Sequence, residues 1–419
     1  MKIAYLIPEW PGQTHIFFWR EMKALREMGV DVEVISTRRP PADIVCHDWS
    51  EKAMAEATYL MPIGITGLLS GLVELLKAGP RRLIRCVRTA LGAEDAKWRD
   101  RLRMLALMPI AGRLVRIARR RDYEHLHAHS CANAAGLALL VRLLTDVPYS
   151  MTLHGPLSIY GSHQRAKWTN AEFAITVTER LKGEVQQAIP ELDASRIAVA
   201  PMGVDLDVFT RRSPYRPPQP GETWRLVTCG RLHRGKGHQE VIEAVSLLRE
   251  QGRDVHLTIL GEGTYRHELE QLVDELTLTD TVTLRGSVGE NTVRDELENA
   301  HLFVLGSHDE AIGVATMEAM AMALPVVVTD VGGVRELVHD SVHGTLVEAR
   351  SSTALADAIA SLLDEPDALS HTSDGARRRV ETAFSSRRSA ELIRERFMSQ
   401  SPQTTSATTA SQTALIGAA

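Results

Sequence analysis

Short apolar runs alternate with helix-like stretches along almost the whole chain, and this alternation confines the fold more than any other feature. The runs fall at 3–7, 32–35, 124–128, 149–153, 173–177 and 197–200 in the first half. They recur at 225–229, 256–260, 282–285, 302–305, 326–329 and 344–347 in the second. Such runs have the length of buried strands, and strands spaced by helical patterns build parallel α/β sheets. A chain of 419 residues exceeds one compact core, and a proline-dense stretch at 212–222 separates the two sets of strands. We therefore expect an α/β fold of two doubly wound, Rossmann-like domains with a ligand cleft between them at the carboxyl ends of the strands. The expected divisions are 1–200, a linker at 201–223, 224–375, closing helices at 376–398, and a tail at 399–419. The tail has little to bury, so it is expected to be disordered.

Composition narrows the setting. Net charge is −5, with 44% hydrophobic and 24% charged residues, as in an ordinary soluble protein. This mild acidity argues against nucleic acid as a partner. Cys46, Cys86, Cys131 and Cys229 form no CxxC pair, which points to a reducing compartment and no zinc site. The first apolar run is too short for a signal peptide. The stretch 61–73, uncharged over 13 residues, falls below the ~20 that span a bilayer. A cytoplasmic protein is the expectation.

The segment 310–327 carries the most chemistry. Glu310 stands just before a helical pattern and Glu318 about one turn inside it, between the runs 302–305 and 326–329. A helix start offers unpaired N–H groups and a positive dipole end, which suits phosphate. Side chains lean towards the helix start, so the Glu318 carboxylate is expected to point back at that mouth. Phosphate beside a hydroxyl-accepting carboxylate suits a nucleotide. A second phosphate-holding loop, 230–238, follows the run 225–229 and presents Arg231 and Lys236 between glycines. It satisfies most of a Walker pattern, but Gly237 replaces the magnesium-binding Ser or Thr, and no Walker-B acid follows. A phosphate-hydrolysing P-loop enzyme is thereby disfavoured. Gly261 and Gly263 read as a tight turn. Asp205 and Asp207 fit a metal-binding DxD pattern, yet two carboxylates at a strand end are more often turn formers and caps. No metal is expected.

In the first half, three strand-end turns converge on the opposing face: Gly12, Gln13 and Thr14 after the first run, His129 after the third, and His154 after the fourth. A separate feature is the stretch 77–121, with 14 basic and 3 acidic residues, a net +11 inside a chain of net −5. Leu107, Ile110, Leu114, Ile117 and Ala118 lie beside it at helical spacing. Solvated faces of packed helices are the commoner meaning of such a run; the sharper one is a surface lying on an anionic membrane.

Together these motifs resemble the family 4 glycosyltransferases of GT-B type along residues 1–398. The resemblance rests on Glu310 and Glu318 with Ala319-Met-Ala, Gly230-Arg-Leu with Lys236-Gly, and Pro201-Met-Gly-Val-Asp205. Thr329-Asp-Val-Gly-Gly-Val-Arg-Glu336, Gly344-Thr-Leu-Val347, Gln13-Thr-His-Ile16 with Glu21, His127-Ala-His129 and Thr152-Leu-His154-Gly complete it. The nearest likeness is to colanic-acid and exopolysaccharide enzymes. The resemblance implies a GT-B fold whose C-terminal helix returns to the N-terminal domain. It also implies retaining, metal-independent transfer of a sugar from a nucleotide diphosphate donor to a glycan or lipid-linked acceptor, with no cofactor. In the resemblance Arg231 and Lys236 stabilise the leaving diphosphate and Glu310 sits by the transferred sugar. The backbone of Ile312, Gly313 and Val314 meets the donor, Glu318 accepts from the ribose, and His154 lies near the reacting centre. Gly12, Gln13, Thr14, His129 and His154 would face the acceptor. Ser158 and His15 depart from the family pattern on that side, so acceptor identity does not carry over. A phosphorylase or epimerase of the same shape, or an inactive assembly partner, are the alternative readings. The basic stretch would place the protein at the inner face of the cytoplasmic membrane.

Overall fold

The computed structural model describes residues 1–399 apart from 13, 14, 42–44, 46 and 220. Gln13, Thr14, Cys46 and the tail from 400 onward therefore lie outside the described residues. The first half runs β1 (Lys2–Glu9), α1 (Ile16–Glu27), β2 (Asp31–Arg38), α2 (Ser50–Glu56) and β3 (Thr58–Tyr59). Four helices follow without an intervening strand: α3 (Ile65–Ala78), α4 (Pro80–Leu91), α5 (Trp98–Ala106) and α6 (Met108–Arg121). Then come β4 (His125–Ala128), α7 (Asn133–Thr145), β5 (Tyr149–Leu153), α8 (Gln164–Asn170), β6 (Ala174–Thr176), α9 (Glu179–Ala188) and β7 (Ile197–Val199).

The second half begins with β8 (Trp224–Cys229), α10 (His238–Glu250), β9 (Val255–Leu260), α11 (Arg266–Glu275), β10 (Val282–Gly286) and α12 (Glu290–Asn299). It continues with β11 (Leu302–Leu305), α13 (Val314–Ala321), β12 (Val326–Thr329), α14 (Val334–Leu337) and β13 (Thr345–Val347). Three helices end the described chain: α15 (Ser352–Asp364), α16 (Pro366–Ala383) and α17 (Ser386–Ser399).

The strands form two parallel sheets, ordered β3-β2-β1-β4-β5-β6-β7 and β10-β9-β8-β11-β12-β13. The order reverses between β1 and β4 in one sheet and between β8 and β11 in the other. Such switch points open a crevice at the carboxyl ends of the strands. Helices cover both faces, so central strands are apolar without alternation; all four residues of β11 are buried. Helix α13 stops because Ala323 turns left-handed at φ 50° and Pro325 follows.

Two expectations need correction. The stretch 201–223 is not wholly an exposed linker. Val204 donates its N–H to the Phe384 carbonyl and accepts from the Ser386 N–H, at 2.9 and 2.8 Å. Val204 and Phe209 are buried, and a side chain at Gly203 would collide with the backbone of Ser386. The closing helices also begin before 376, because α16 starts at Pro366, and the last helix includes Ser399. From there α17 crosses back to the first sheet, where Ala390, Ile393 and Phe397 pack among Ile3, Tyr5, Phe18 and Met22.

Candidate active site

Backbone contacts between glycines shape the basic loop after β8. Gly237, at φ 65°, ends a single turn at 234–236 and starts α10, and a side chain there would run into the Gly306 carbonyl. Gly261 and Gly263 stand equally close to the carbonyls of Gly230 and Leu232. The Gly261–Gly263 pair thus lets the basic loop lie directly on the end of β9, rather than simply starting a helix.

Lys236 Nζ donates to Glu310 Oε1, which also accepts from the Ser307 hydroxyl at 2.8 Å. The Glu310 loop is seated on Gly332 and Gly333, whose missing side chains admit the carbonyls of Glu310 and Ala311. Gly333 donates its N–H to the Glu310 carbonyl at 3.0 Å. Ile312 is buried, and Gly313, at φ 96°, caps α13 without a side chain, leaving backbone N–H groups at the helix start. Arg231 is exposed and opposes His15 of the other half. Burial and then that positive charge push His15 down to about 4.

Glu318 does not lie free at the helix mouth. Its Oε1 accepts from Arg20 Nη2 at 2.7 Å, and the same nitrogen reaches Glu290 Oε2 at 2.7 Å. Arg20, on α1 of the first half, is only 3% exposed and lies over the Phe209 ring at 5.0 Å. Burial raises the Glu318 carboxyl above its usual range despite the arginine beside it. Ile16, Arg20, Gly230, Arg231, Glu290 and Glu318 share one cavity of about 100 Å³ between the halves. That is smaller than the ~300 Å³ at which small-molecule sites begin.

A second clasp spans the halves. Both carboxylate oxygens of Glu336 accept from the N–H groups of Glu179 and Arg180 at the start of α9, at 2.8 and 2.9 Å. The Glu336 carboxylate occupies the position an anion takes at a helix start.

On the first-half face, His129 Nδ1 and His154 Nε2 are 3.2 Å apart, and His154 Nδ1 is buried without a hydrogen-bond partner. Burial, then the neighbouring His129 and His15, hold His154 far below the ordinary value of 6.5, so its ring is neutral. His129 Nε2 stands 3.3 Å from Glu21 Oε1, which accepts from the Tyr5 hydroxyl at 2.7 Å. The Gly12 carbonyl accepts from His15 N–H at 2.9 Å and turns the chain into α1.

Glu21, His127 and His129 bring ligand-capable atoms within 4.8 Å of one another, a convergence the linear spacing does not reveal. Both ring nitrogens of His127 already face hydroxyls, Ser150 at 2.7 Å and Thr152 at 2.9 Å. A metal there would have to displace one of them, so the donor set fits an ion poorly. Asp205 is the turn former anticipated above, its Oδ1 accepting from the N–H groups of Asp207 and Val208.

The structure therefore brings Arg231, Lys236, Glu310, Ile312, Gly313, Val314 and Glu318 to one strand-end face of the second sheet. It brings Gly12, His129 and His154 to the facing ends of the first. Sequence reasoning missed Arg20 and Glu290, although two adjacent charges, Arg20 and Glu21, inside the apolar run 16–25 were a usable sign.

Two family models match the chain in succession: Glycosyltransferase Family 4 over residues 16–208 and Glycosyl transferases group 1 over 211–379. WcaL of Escherichia coli K12, provisionally named a colanic acid biosynthesis glycosyltransferase, is 26% identical over 398 residues, 92% of this chain and 96% of its own. TuaC of Bacillus subtilis 168, provisionally named for teichuronic acid biosynthesis, is 27% identical over 418 residues, 95% and 98%. Among solved structures, Anabaena Alr3699/HepE in complex with UDP and glucose superposes with a TM-score of 0.71 at 18% identity. It covers 95% of this chain and 100% of that one, a likeness of fold. The chain belongs to the family 4 glycosyltransferases and has the GT-B fold.

Proposed function

We propose that the protein moves a sugar from a nucleotide diphosphate donor to an acceptor hydroxyl, with retention of configuration and without a metal, in building an exopolysaccharide or other cell-surface glycan. The observation that carries this reading is the convergence of Lys236, Glu310, Arg231 and the start of α13 opposite His154. As the bond from the sugar to the diphosphate breaks, negative charge grows on the leaving oxygens. Arg231, Lys236 and the α13 dipole are placed to meet it, the work a metal does elsewhere. The backbone of Ile312, Gly313 and Val314 would seat the donor, and Glu310 would lie by the transferred sugar. His154, neutral and with Nδ1 unpartnered, is suited to a sugar or phosphate oxygen rather than to ion pairing. Glu318 would accept from ribose hydroxyls once Arg20 withdraws from it. Gly12, Gln13, Thr14 and His129 would form the acceptor side.

WcaL and TuaC are named for polysaccharide assembly, and HepE was solved with UDP and glucose, which supports the same assignment. On this reading the acceptor is a glycan or a lipid-linked one, and the protein works in the cytoplasm at the inner face of the membrane. Among the described residues no helix is long and apolar enough to cross a membrane. A thermal-shift panel of nucleotide sugars, followed by transfer assays, tests the assignment. At least one donor is expected to stabilise the protein, and Glu318→Ala and Lys236→Ala to lose transfer. Full transfer in both variants would refute the site.

A further inference from the structure

Helix α3 turns most of its large apolar side chains outward. Its outward face carries Ile65, Leu68, Leu69, Leu72, Val73 and Leu76, between 38% and 78% exposed. Its inward face buries only Gly71, Glu74 and a single leucine, Leu75. Gly71 and Gly112 touch backbone to backbone where α3 crosses α6, and buried Glu74 pairs with Lys77 at 3.0 Å and Arg119 at 2.6 Å. The apolar face continues through Ile84, Val87 and Leu91 on α4 and Trp98 and Leu102 on α5. These helices hold 11 of the 14 large hydrophobic side chains exposed among the described residues, so the exposure is a patch and not scatter. By contrast, the stripe on α6 that the sequence singled out faces the core, with Leu114 and Ala118 buried and Leu107, Ile110 and Ile117 packed against it.

We propose that α3, α4 and α5 form a docking face that seats the first domain on an anionic lipid bilayer, with the α3 leucines in the interface. Charge selects this occupant. Arg81, Arg85, Arg88 and Lys97 have no carboxylate partner among the described residues, and they border the apolar face. Two copies meeting through it would set these cations against each other, whereas anionic headgroups neutralise them. The 14 residues of α3 extend about 21 Å, short of the ~30 Å hydrocarbon core, so the helix lies along the surface. At its α5 end the face comes near the turn that follows His154. A cavity of about 240 Å³ separates α5, at Asp100 and Arg103, from Tyr160 and His163 in the turn that follows His154. That this position would present a lipid-linked acceptor to the cleft rests on the proposed transferase reading; the docking itself does not.

Co-sedimentation of the full chain with vesicles of phosphatidylcholine, alone or mixed with phosphatidylglycerol, tests the proposal. Binding to mixed vesicles at low salt is expected, falling about tenfold or more in Leu69→Gln/Leu76→Gln and in Arg81→Gln/Arg85→Gln. Circular dichroism and donor-induced thermal stabilisation of these exposed-site variants are expected to match the parent. No sedimentation with mixed vesicles, or equal sedimentation of the leucine variant, overturns the proposal. So does self-association that the leucine variant abolishes in a chain that ignores vesicles, which would make a second copy the occupant. Vesicle binding without any sugar transfer would sink the transferase reading and leave the docking face intact.

Discussion

Arg20 joins two acids that lie 270 and 298 residues away in sequence, and its guanidinium is almost wholly buried between domains. Removing one partner of a buried pair leaves the other charge uncompensated, at about 3–5 kcal/mol. Arg20→Met is therefore expected to lower stability by about 3 kcal/mol, with Glu318→Gln partly compensating, as the neutral amide needs no counter-charge. Urea unfolding of the single and double variants measures this, and simple additivity would show the pair to be uncoupled. The contrast with Lys236 and Glu310 shows what a chain discloses. Those two sit in short local motifs at strand ends, where residue type and spacing already specify chemistry. The role of Arg20 depends on how two domains meet, which no local spacing encodes. Glu318 was legible as an acid about one turn inside the helix, while the partner that covers it was not.

Among elements, the loop from Gly230 to Gly237 combines shape with charge. Gly237→Ala forces a side chain into a left-handed position and against the Gly306 carbonyl. The expected cost is about 2 kcal/mol, together with weakened donor-induced thermal shift as Lys236 is displaced. Lys236→Ala is expected to keep the fold and to lower kcat about 100-fold or more at saturating donor, the scale of losing one group that stabilises a leaving charge. A loss confined to KM would remove Lys236 from the transition state. All the strands anticipated from apolar runs are present, and the one added is β3, whose two residues are too few to show a period. The close approach of Gly261 to the Gly230 carbonyl and of Gly332 to the Glu310 carbonyl was not legible, because a glycine announces that something approaches without saying what.

Over the whole molecule, closure rests on polar clasps: Arg20 on Glu290 and Glu318, and Glu336 on the amides of α9. Buried neutral histidines add an acid sensitivity. Burial holds His125 at about 3, His238 at about 4 and His127 far below the ordinary 6.5. Above 6.5 neither folded nor unfolded chain binds these protons. Below it the unfolded chain takes them up and the folded one does not, so stability falls as pH drops from 6.5 towards 4. The slope is up to about 1.4 kcal/mol per pH unit for each such histidine. Thermal melts across that range are expected to show a steep drop in Tm, and a flat profile would contradict the burial of these rings. The crossing of α3 over α6 has a last consequence for handling the protein. The helix cannot hide its leucines by rolling about its axis, since that would drive them into the contact between Gly71 and Gly112 and strip Glu74 of Arg119. Away from lipid the apolar face stays wet, so the purified chain is expected to stick to surfaces and columns and to stay dispersed best in mild detergent.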